Sequence, residues 1–325
     1  MTIRLPADES GLREAGRRLA AGELVAFPTE TVYGLGADAT NPQAVARLYA
    51  AKGRPQFNPL IAHVPGQAEA RQLAELTPAA EALATRFWPG PMTLVLPARM
   101  GAAVCELARA GLPSIGIRIP ADRAAQTILR AAGRPIAAPS ANRSGHVSPT
   151  QAEHVLADLD GLIDAIVMGA PSPIGVESSI FGCLGAQITL LRPGGITRAE
   201  AEAAIGEPVQ DHHIERADAP EAPGRLASHY APRARLRLEA LDLQKGEACL
   251  AFGPAIPPGA QAGLTLNLSP KGDLVEAASH LYAHLRQLDS LGVTSIAVVP
   301  LPKFGLGEAV ADRLRRAAAP KFDLS

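Results

Sequence analysis

The chain has 325 residues, room for two domains at the usual ~150 residues each. Its 31 lysines and arginines against 32 aspartates and glutamates leave a net charge of −1, which excludes a polycation built to coat nucleic acid and leaves only a local patch open. At 47% hydrophobic and 19% charged residues the chain can bury a core, and at 4% aromatics that core must be aliphatic. Short strands alternate with helices, the pattern of an α/β or α+β chain. A first helix is predicted over 10–21, capped by Ser10, with Leu12, Ala15 and Leu19 as its apolar stripe and Gly22 as its stop. A strand at 24–27 breaks at Pro28. Asn41 before Pro42 reads as an N-cap ahead of a first-position proline, and that helix ends at Lys52-Gly53. Residues 60–64 read as a strand, followed by two helices, the second opened by Thr77-Pro78. Further strands are predicted at 92–96 and 114–119, Ser148-Pro149 opens another helix, and Thr197 with Glu200 makes a capping box.

From 206 to 232 the pattern dissolves into turn-forming and polar residues, a linker by composition. Beyond it, strands near 235–240, 248–252, 264–268 and 294–300 frame a long helix at 273–290, and a last helix covers 308–318. The expected division is 1–205, a linker at 206–232, and a small α/β module at 233–325. Charges balance in both halves. Cys105, Cys183 and Cys249 form no CxxC pair, so neither a zinc ribbon nor a disulfide scaffold is expected, and a reducing compartment fits. No apolar run approaches the ~18 residues of a membrane helix. The first residues lack a secretory stretch, so the expected address is the cytoplasm.

No Walker A loop is present, and Gly34-Leu35-Gly36 lacks the third glycine of a dinucleotide fingerprint. In strand 114–119, Ile115, Ile117 and Ile119 share one face, while Ser114, Gly116 and Arg118 share the other. From the strand alone, Arg118 on a solvated face is the ordinary reading. The loop from Lys52 to Pro59 holds Lys52, Arg54 and Asn58 between glycine and prolines, a combination that suits a polyanion. A helix-dipole role accounts for Lys52 but not for Arg54 or Asn58. The small-residue turn at 137–145 can aim backbone N–H groups at an anion. His63 lies opposite Leu60, Ala62 and Val64 on its strand. His280 and His284 have metal-ligand spacing, but no third ligand is evident and a partly exposed helix face is expected. His212-His213, in the linker, reads as solvated.

Several segments together resemble the YrdC-like superfamily: 27–36, Lys52-Gly53-Arg54-Pro55, Asn58-Pro59-Leu60, 139–145, and Val176-Glu177-Ser178-Ser179-Ile180. With Ser228-His229-Tyr230-Ala231-Pro232 and the second half, the chain resembles that superfamily's long form, the L-threonylcarbamoyladenylate synthases. The resemblance implies a twisted mixed α/β sheet around a large concave site, with a smaller Rossmann-like C-terminal domain. It implies threonylcarbamoyl-AMP and pyrophosphate made from L-threonine, bicarbonate and ATP, for threonylcarbamoyladenosine in tRNA. The catalytic signature falls on Lys52, Arg54, Ser140 and Asn142. Threonine-binding positions fall on Thr31, His63, Arg118, Ala138 and Ser178, and ATP-binding positions on Arg54, Asn58, Ser114, Ser140, Ser148, Arg192 and Tyr230. No protein metal site is implied; Mg²⁺ is expected on the ATP phosphates. The implied partner is the tRNA threonylcarbamoyl-transfer machinery, with direct RNA contact left open, and 206–232 is expected to act as a lid. The competing readings are an RNA-binding module and a carbamoyl-transfer enzyme of the same superfamily.

Overall fold

The computed structural model describes residues 1–211 and 229–320, so most of the expected linker, including His212-His213 and Ser228, lies outside the described residues. Strands β1 (Ile3–Pro6), β2 (Val25–Phe27), β3 (Gly34–Asp38), β4 (Ile61–His63), β5 (Met92–Pro97) and β6 (Ser114–Arg118) join β7 (Ile136–Ala137), β8 (Ala165–Met168), β9 (Ser179–Gly182), β10 (Thr189–Arg192) and β11 (Gln210–Asp211) in one twisted sheet. Its order is β1-β8-β2-β3-β7-β4-β6-β5-β9-β10-β11. Parallel and antiparallel pairs are mixed: β4 runs parallel to β6, and β5 antiparallel to it. A second sheet, all parallel, has β12 (Arg235–Arg237), β13 (Ala248–Ala251), β14 (Thr265–Asn267) and β15 (Ser295–Val298) in the order β12-β15-β13-β14.

Helix starts show where local signals held. Helix α1 (Glu9–Ala20) is capped by Asp8, whose carboxylate accepts the Gly11 N–H at 2.9 Å, and not by Ser10, which lies inside the first turn. Helix α2 (Pro42–Lys52) starts at Asn41 as expected. Helices α3 (Gln67–Leu73) and α4 (Pro78–Phe87) follow, the latter capped by Thr77, then α5 (Glu106–Arg109) and α6 (Arg123–Ala132). Helix α7 (Ala152–Leu159) begins at Gln151, so Ser148-Pro149 does not open it; the Ser148 hydroxyl is turned instead to Glu177. Helix α8 (Arg198–Ile205) carries the Thr197–Glu200 capping box, and α9 (Leu274–Ser290) and α10 (Leu306–Ala318) cover the small sheet.

Ile115, Ile117 and Ile119 point into the largest apolar cluster, with Leu35, Leu48 and Leu94. Each such buried side chain contributes roughly 1.5–3 kcal/mol. On the opposite face α1 and α6 cover Val25, Phe27, Ile136 and Val167 toward one end of the sheet, and the strands beyond carry a small cluster of Ile61, Val95, Ile180 and Leu191 beside polar groups. One further core crosses between the halves: Val32, Val147 and Val176 of the first pack with Tyr230, Leu281, Tyr282, Leu285, Val310 and Leu314 of the second. The approach is close enough that a Cβ on Gly175 (φ 79°) would stand 2.3 Å from Ala278 O.

Candidate active site

Three neighbouring strands set out one polar row. In register, His63 of β4 faces Arg118 of β6, which faces Thr93 of β5, so their side chains share the face opposite the isoleucines. Arg118 is only 4% exposed and its Nη2 donates to Glu30 Oε1 at 2.8 Å, so the solvated reading of this arginine is corrected. The turn between β2 and β3 brings Glu30 against that face, a tertiary contact that a strand pattern does not contain. Burial pushes the Glu30 carboxyl up, but the Arg118 guanidinium outweighs it and holds the group below its usual range. Glu30 Oε2 also accepts the Asp122 N–H.

His63 Nδ1 lies 3.1 Å from Ile61 O. A carbonyl only accepts, so Nδ1 carries the proton and a neutral ring presents Nε2 as an acceptor. Burial first, and Arg118 second, push the imidazole down to about 3, so it is uncharged at neutral pH. Farther along the sheet, the Thr93 and Ser178 hydroxyls share a hydrogen bond of 2.7 Å. Arg192 Nε and Nη2 donate to Ser178 O at 3.1 and 2.9 Å, and Nη2 reaches Ser178 Oγ at 3.2 Å. Burial pulls the Arg192 guanidinium below its usual value. Ser114 is buried and shares the Arg118 face by alternation. Thr31 is buried with its hydroxyl 2.9 Å from that of Thr29, and the Ala138 N–H donates to Ile61 O.

Around this face the two cationic loops meet. Lys52 leaves the end of α2 and donates its ammonium to Ser140 O and Asn142 O, both at 2.5 Å. Dipole compensation is therefore not its main work, because both partners lie some ninety residues away in the chain. In return, Ser144 N–H donates to Lys52 O. Burial, then the neighbouring Arg54, push the Lys52 ammonium well below its ordinary value. Arg54 folds back on its own loop, donating to Asn58 O at 3.3 Å and Pro59 O at 3.0 Å. Burial lowers it to about 10, which still leaves it charged at neutral pH. Asn142 Nδ2 donates to Arg143 O and His146 O.

The second half reaches this region through the end of the linker. Tyr230 (φ 64°) stacks on Tyr282 with ring centroids 5.7 Å apart, and the Arg313 guanidinium lies 5.2 Å from its ring centre. The Ala231 N–H donates to Gly145 O at 2.8 Å, beside the Ser140–Asn142 turn. Glu177 is the junction of the two halves. Its Oε1 accepts from Ser148 at 2.5 Å, and its Oε2 accepts from Tyr282 at 2.8 Å and from Arg313 Nε at 2.9 Å. Burial would raise this carboxyl, but Arg313 and Arg192 with the two side-chain hydrogen bonds hold it down to about 2. Glu30, Thr93, Glu177, Tyr282 and Arg313 were not among the sequence candidates. The available signals were a lone hydroxyl in an apolar strand and carboxylates inside two of the motif runs.

Among the described residues thirteen buried side-chain polar atoms lack a hydrogen-bond partner, and five of them are on candidate residues, the rest being spread over both halves. The five are both amide atoms of Asn58, Arg118 Nε, Asn142 Oδ1 and the Tyr230 hydroxyl, and His229 Nδ1 is a sixth next to Tyr230. Each such atom costs roughly 1–3 kcal/mol in a protein interior, and native folds keep few of them. His229 feels Lys52, Arg54 and Glu177, and Arg54 feels Tyr230 and Arg192, so these groups lie in one electrostatic neighbourhood. With Asn58 Nδ2, Arg118 Nε and the Tyr230 hydroxyl as unpaired donors, the residues present a cation-lined region suited to a carboxylate and a polyphosphate. In contrast, His280 and His284 simply stack, with ring centres 4.9 Å apart, and His280 Nδ1 bonds Leu268 O.

The buried histidines carry a pH prediction. Burial holds His63 and His229 down at about 3, against 6.5 for free imidazole. Below 6.5 the unfolded chain binds protons that the native one refuses, so their stabilisation is complete above 6.5 and is lost as pH falls toward 3. At ~1.4 kcal/mol per pH unit for each group, the two together should cost the fold about 4 kcal/mol between pH 7 and pH 5. Urea unfolding at the two pH values measures this, and equal midpoints would mean that both rings are hydrated.

The family model described as telomere recombination, which covers the Sua5, YciO and YrdC proteins, matches residues 17–194. The model described as the C-terminal domain of threonylcarbamoyl-AMP synthase matches residues 196–319. The threonylcarbamoyl-AMP synthase of Bacillus subtilis is 41% identical, over 98% of this chain and 96% of its own length. That of Pyrococcus abyssi is 40% identical, over 98% and 97%. A crystal structure of P. abyssi Sua5 complexed with L-threonine has a TM-score of 0.88 to this chain at 38% identity, covering 98% of this chain and 97% of that one. Sequence and fold agree over both halves: the chain belongs to the threonylcarbamoyl-AMP synthase family, in its long form with a YrdC-like half and a Sua5 C-terminal domain.

Proposed function

We propose that Lys52, Arg54, Ser140 and Asn142 carry the family's reaction here, joining L-threonine, bicarbonate and ATP into threonylcarbamoyl-AMP with release of pyrophosphate. The enzyme is of the nucleotidyltransferase type. The threonine amine condenses with bicarbonate, losing water, and a carbamate oxygen attacks the α-phosphorus in line with the departing pyrophosphate. Two anions must meet, and the leaving group gains charge, so positioning and positive potential are the main requirements. Arg54 and Arg192 serve the triphosphate, with Asn58, Ser114, Ser140, Ser148 and Tyr230 around the nucleotide. Lys52 fixes the Ser140–Asn142 turn and adds positive potential. Arg118 clamps the threonine carboxylate, with Thr31, His63, Ala138 and Ser178 around the amino acid. Neutral His63 orients threonine through a hydrogen bond, since a ring at about 3 is a poor base at neutral pH. Selection against serine rests on a methyl contact, worth about 1–3 kcal/mol.

Among the described residues, no group of three or more His, Cys, Asp or Glu could hold a metal ion. Glu30 and Glu177 are both engaged by arginines. The Mg²⁺ that accompanies ATP would thus take phosphate oxygens and water as most of its ligands, offsetting charge on the departing pyrophosphate. No described helix is long and apolar enough to cross a membrane. With three free cysteines, a cytoplasmic site beside the tRNA threonylcarbamoyl-transfer machinery is the reading we favour.

The observation that supports this assignment most is that Asn58, Arg118, Asn142 and Tyr230, from four separate segments, each keep a buried polar atom unpaired. Pyrophosphate release from ATP should require threonine and bicarbonate together. Release that persists with RNA or carbamoyl phosphate in place of threonine would overturn it.

A further inference from the structure

Ser140 and Asn142 open a turn whose later residues are tied down from both halves of the molecule. From the first half, Lys52 holds Ser140 O and Asn142 O, and Arg143 Nε donates to Asp158 O at 3.1 Å. From the other half, Arg286 Nη2 on α9 donates to Val147 O at 2.5 Å, and the same nitrogen donates to Asp158 Oδ2 at 2.9 Å. Inside the turn, Asn142 Nδ2 donates to Arg143 O and to His146 O, the residue just before Val147. Where those two carbonyls stand therefore sets the direction in which the unpaired Asn142 Oδ1 is aimed.

Asp158 stands where a lone carboxylate is unfavourable. It lies in the last turn of α7, where the helix dipole opposes negative charge, and that turn has no basic residue of its own. Its cationic partners come from elsewhere: Arg286, and His146 with Nδ1 3.7 Å from Oδ1. Burial would raise the carboxyl, but these two groups hold it down to about 2. The Arg286 and Asp158 side chains are only 15% and 11% exposed, so salt screens their attraction little. The pair fastens the far end of the turn to α7 with a side chain that the first half does not contain. Both bonds leave Nη2 while Nε has no partner, so the position uses one donor point and not the planar fork of an arginine.

We propose that Arg286 is a positioning residue for the reaction: through Val147 O and Asp158 it fixes the turn that aims Asn142. The proposal rests on the assignment of Ser140 and Asn142 to the reaction and adds what holds them in place. The C-terminal half thereby completes a site whose catalytic signature lies wholly in the first half. Arg286 acts through the turn, and a small displacement of positioned groups is enough to slow a reaction by about 10²-fold.

The test is pyrophosphate release by the full chain with ATP and threonine varied in turn. Arg286→Met keeps the apolar stem and removes the donor, so kcat/KM for ATP should fall about 10–100-fold, with a raised ATP KM and an unmoved threonine KM. Partial unfolding lowers the amount of active enzyme and moves neither KM, so this split marks positioning. Arg286→Lys should recover most of the loss, because one ammonium can serve both acceptors. Leu288→Ala, a truncation in the same helix and in the core shared by the halves, leaves every bond of the turn in place. It should lower the melting temperature without moving either KM. If Arg286→Met folds poorly, pairing it with Asp158→Asn removes the stranded charge and carries the test with the same expected loss. Wild-type kcat/KM for ATP in the methionine variant or the pair would overturn the proposal. So would a lysine variant no better than methionine, or an ATP effect of equal size in Leu288→Ala. Asn142→Ala keeps the two readings apart. Normal turnover there removes the turn from the reaction altogether, whereas a slow Asn142→Ala beside a normal Arg286→Met removes only the role of Arg286.

Discussion

Arg54→Ala should lower threonine-dependent pyrophosphate release by about 10²–10³-fold, the usual loss when a positioned donor to a developing anion is removed. The guanidinium is buried yet charged at neutral pH, and it lies in the electrostatic neighbourhood of Lys52, Arg192 and Tyr230. Because it also donates to Asn58 O and Pro59 O, part of the loss could come from a misshapen loop. Arg54→Lys separates the two effects, since it keeps the charge and loses the planar fork. A true phosphate contact leaves the lysine variant partly active, with a raised ATP KM and an unchanged threonine KM. Lys52→Ala should match the loss by another route, by releasing Ser140 O and Asn142 O. Normal turnover in either alanine variant, measured by coupled pyrophosphate detection, would remove these cations from the triphosphate site.

Arg118→Ala should raise the threonine KM by about 10–100-fold and the ATP KM far less, because a hydrogen bond to a charged group contributes roughly 1.5–3 kcal/mol. The same change strands the Glu30 carboxylate in the interior, and breaking a buried pair costs about 3–5 kcal/mol of stability. The paired substitution Glu30→Gln with Arg118→Met removes that penalty and isolates the binding effect. Steady-state kinetics with each substrate varied in turn decide the ranking. A larger rise for ATP than for threonine would take Arg118 out of the threonine site.

How much of this was legible depends on the range of each interaction. Signals confined to a few neighbouring residues came through: Asn41 with Pro42, Thr77 with Pro78, and Thr197 with Glu200 all open helices. The alternation of Ile115, Ile117 and Ile119 identified the core face of β6. Strand β3 was not among the expected elements, and its Gly34-Leu35-Gly36 was weighed only as an incomplete dinucleotide fingerprint; Gly36 is there for packing. A Cβ at that position would meet the Phe27 ring at 2.8 Å and Leu19 Cδ2 at 2.9 Å. The candidate residues were readable as motif runs, but their partners were not. Glu30 meets Arg118 across 88 residues, and Glu177 meets Arg313 across 136. No periodicity records such a pairing, so a solvated Arg118 was the ordinary reading, and the helix start assigned to Ser148 failed for the same reason.

Val32, Val147 and Val176 lie in the core of the half they do not belong to by chain position. Pulling α9 and α10 away as a body would wet all three, at roughly 1.5–3 kcal/mol for each side chain. It would also deprive Glu177 of its arginine. Wholesale separation of the halves is therefore costly. By the same token the two sheets, though separate in hydrogen bonding, should melt as one unit.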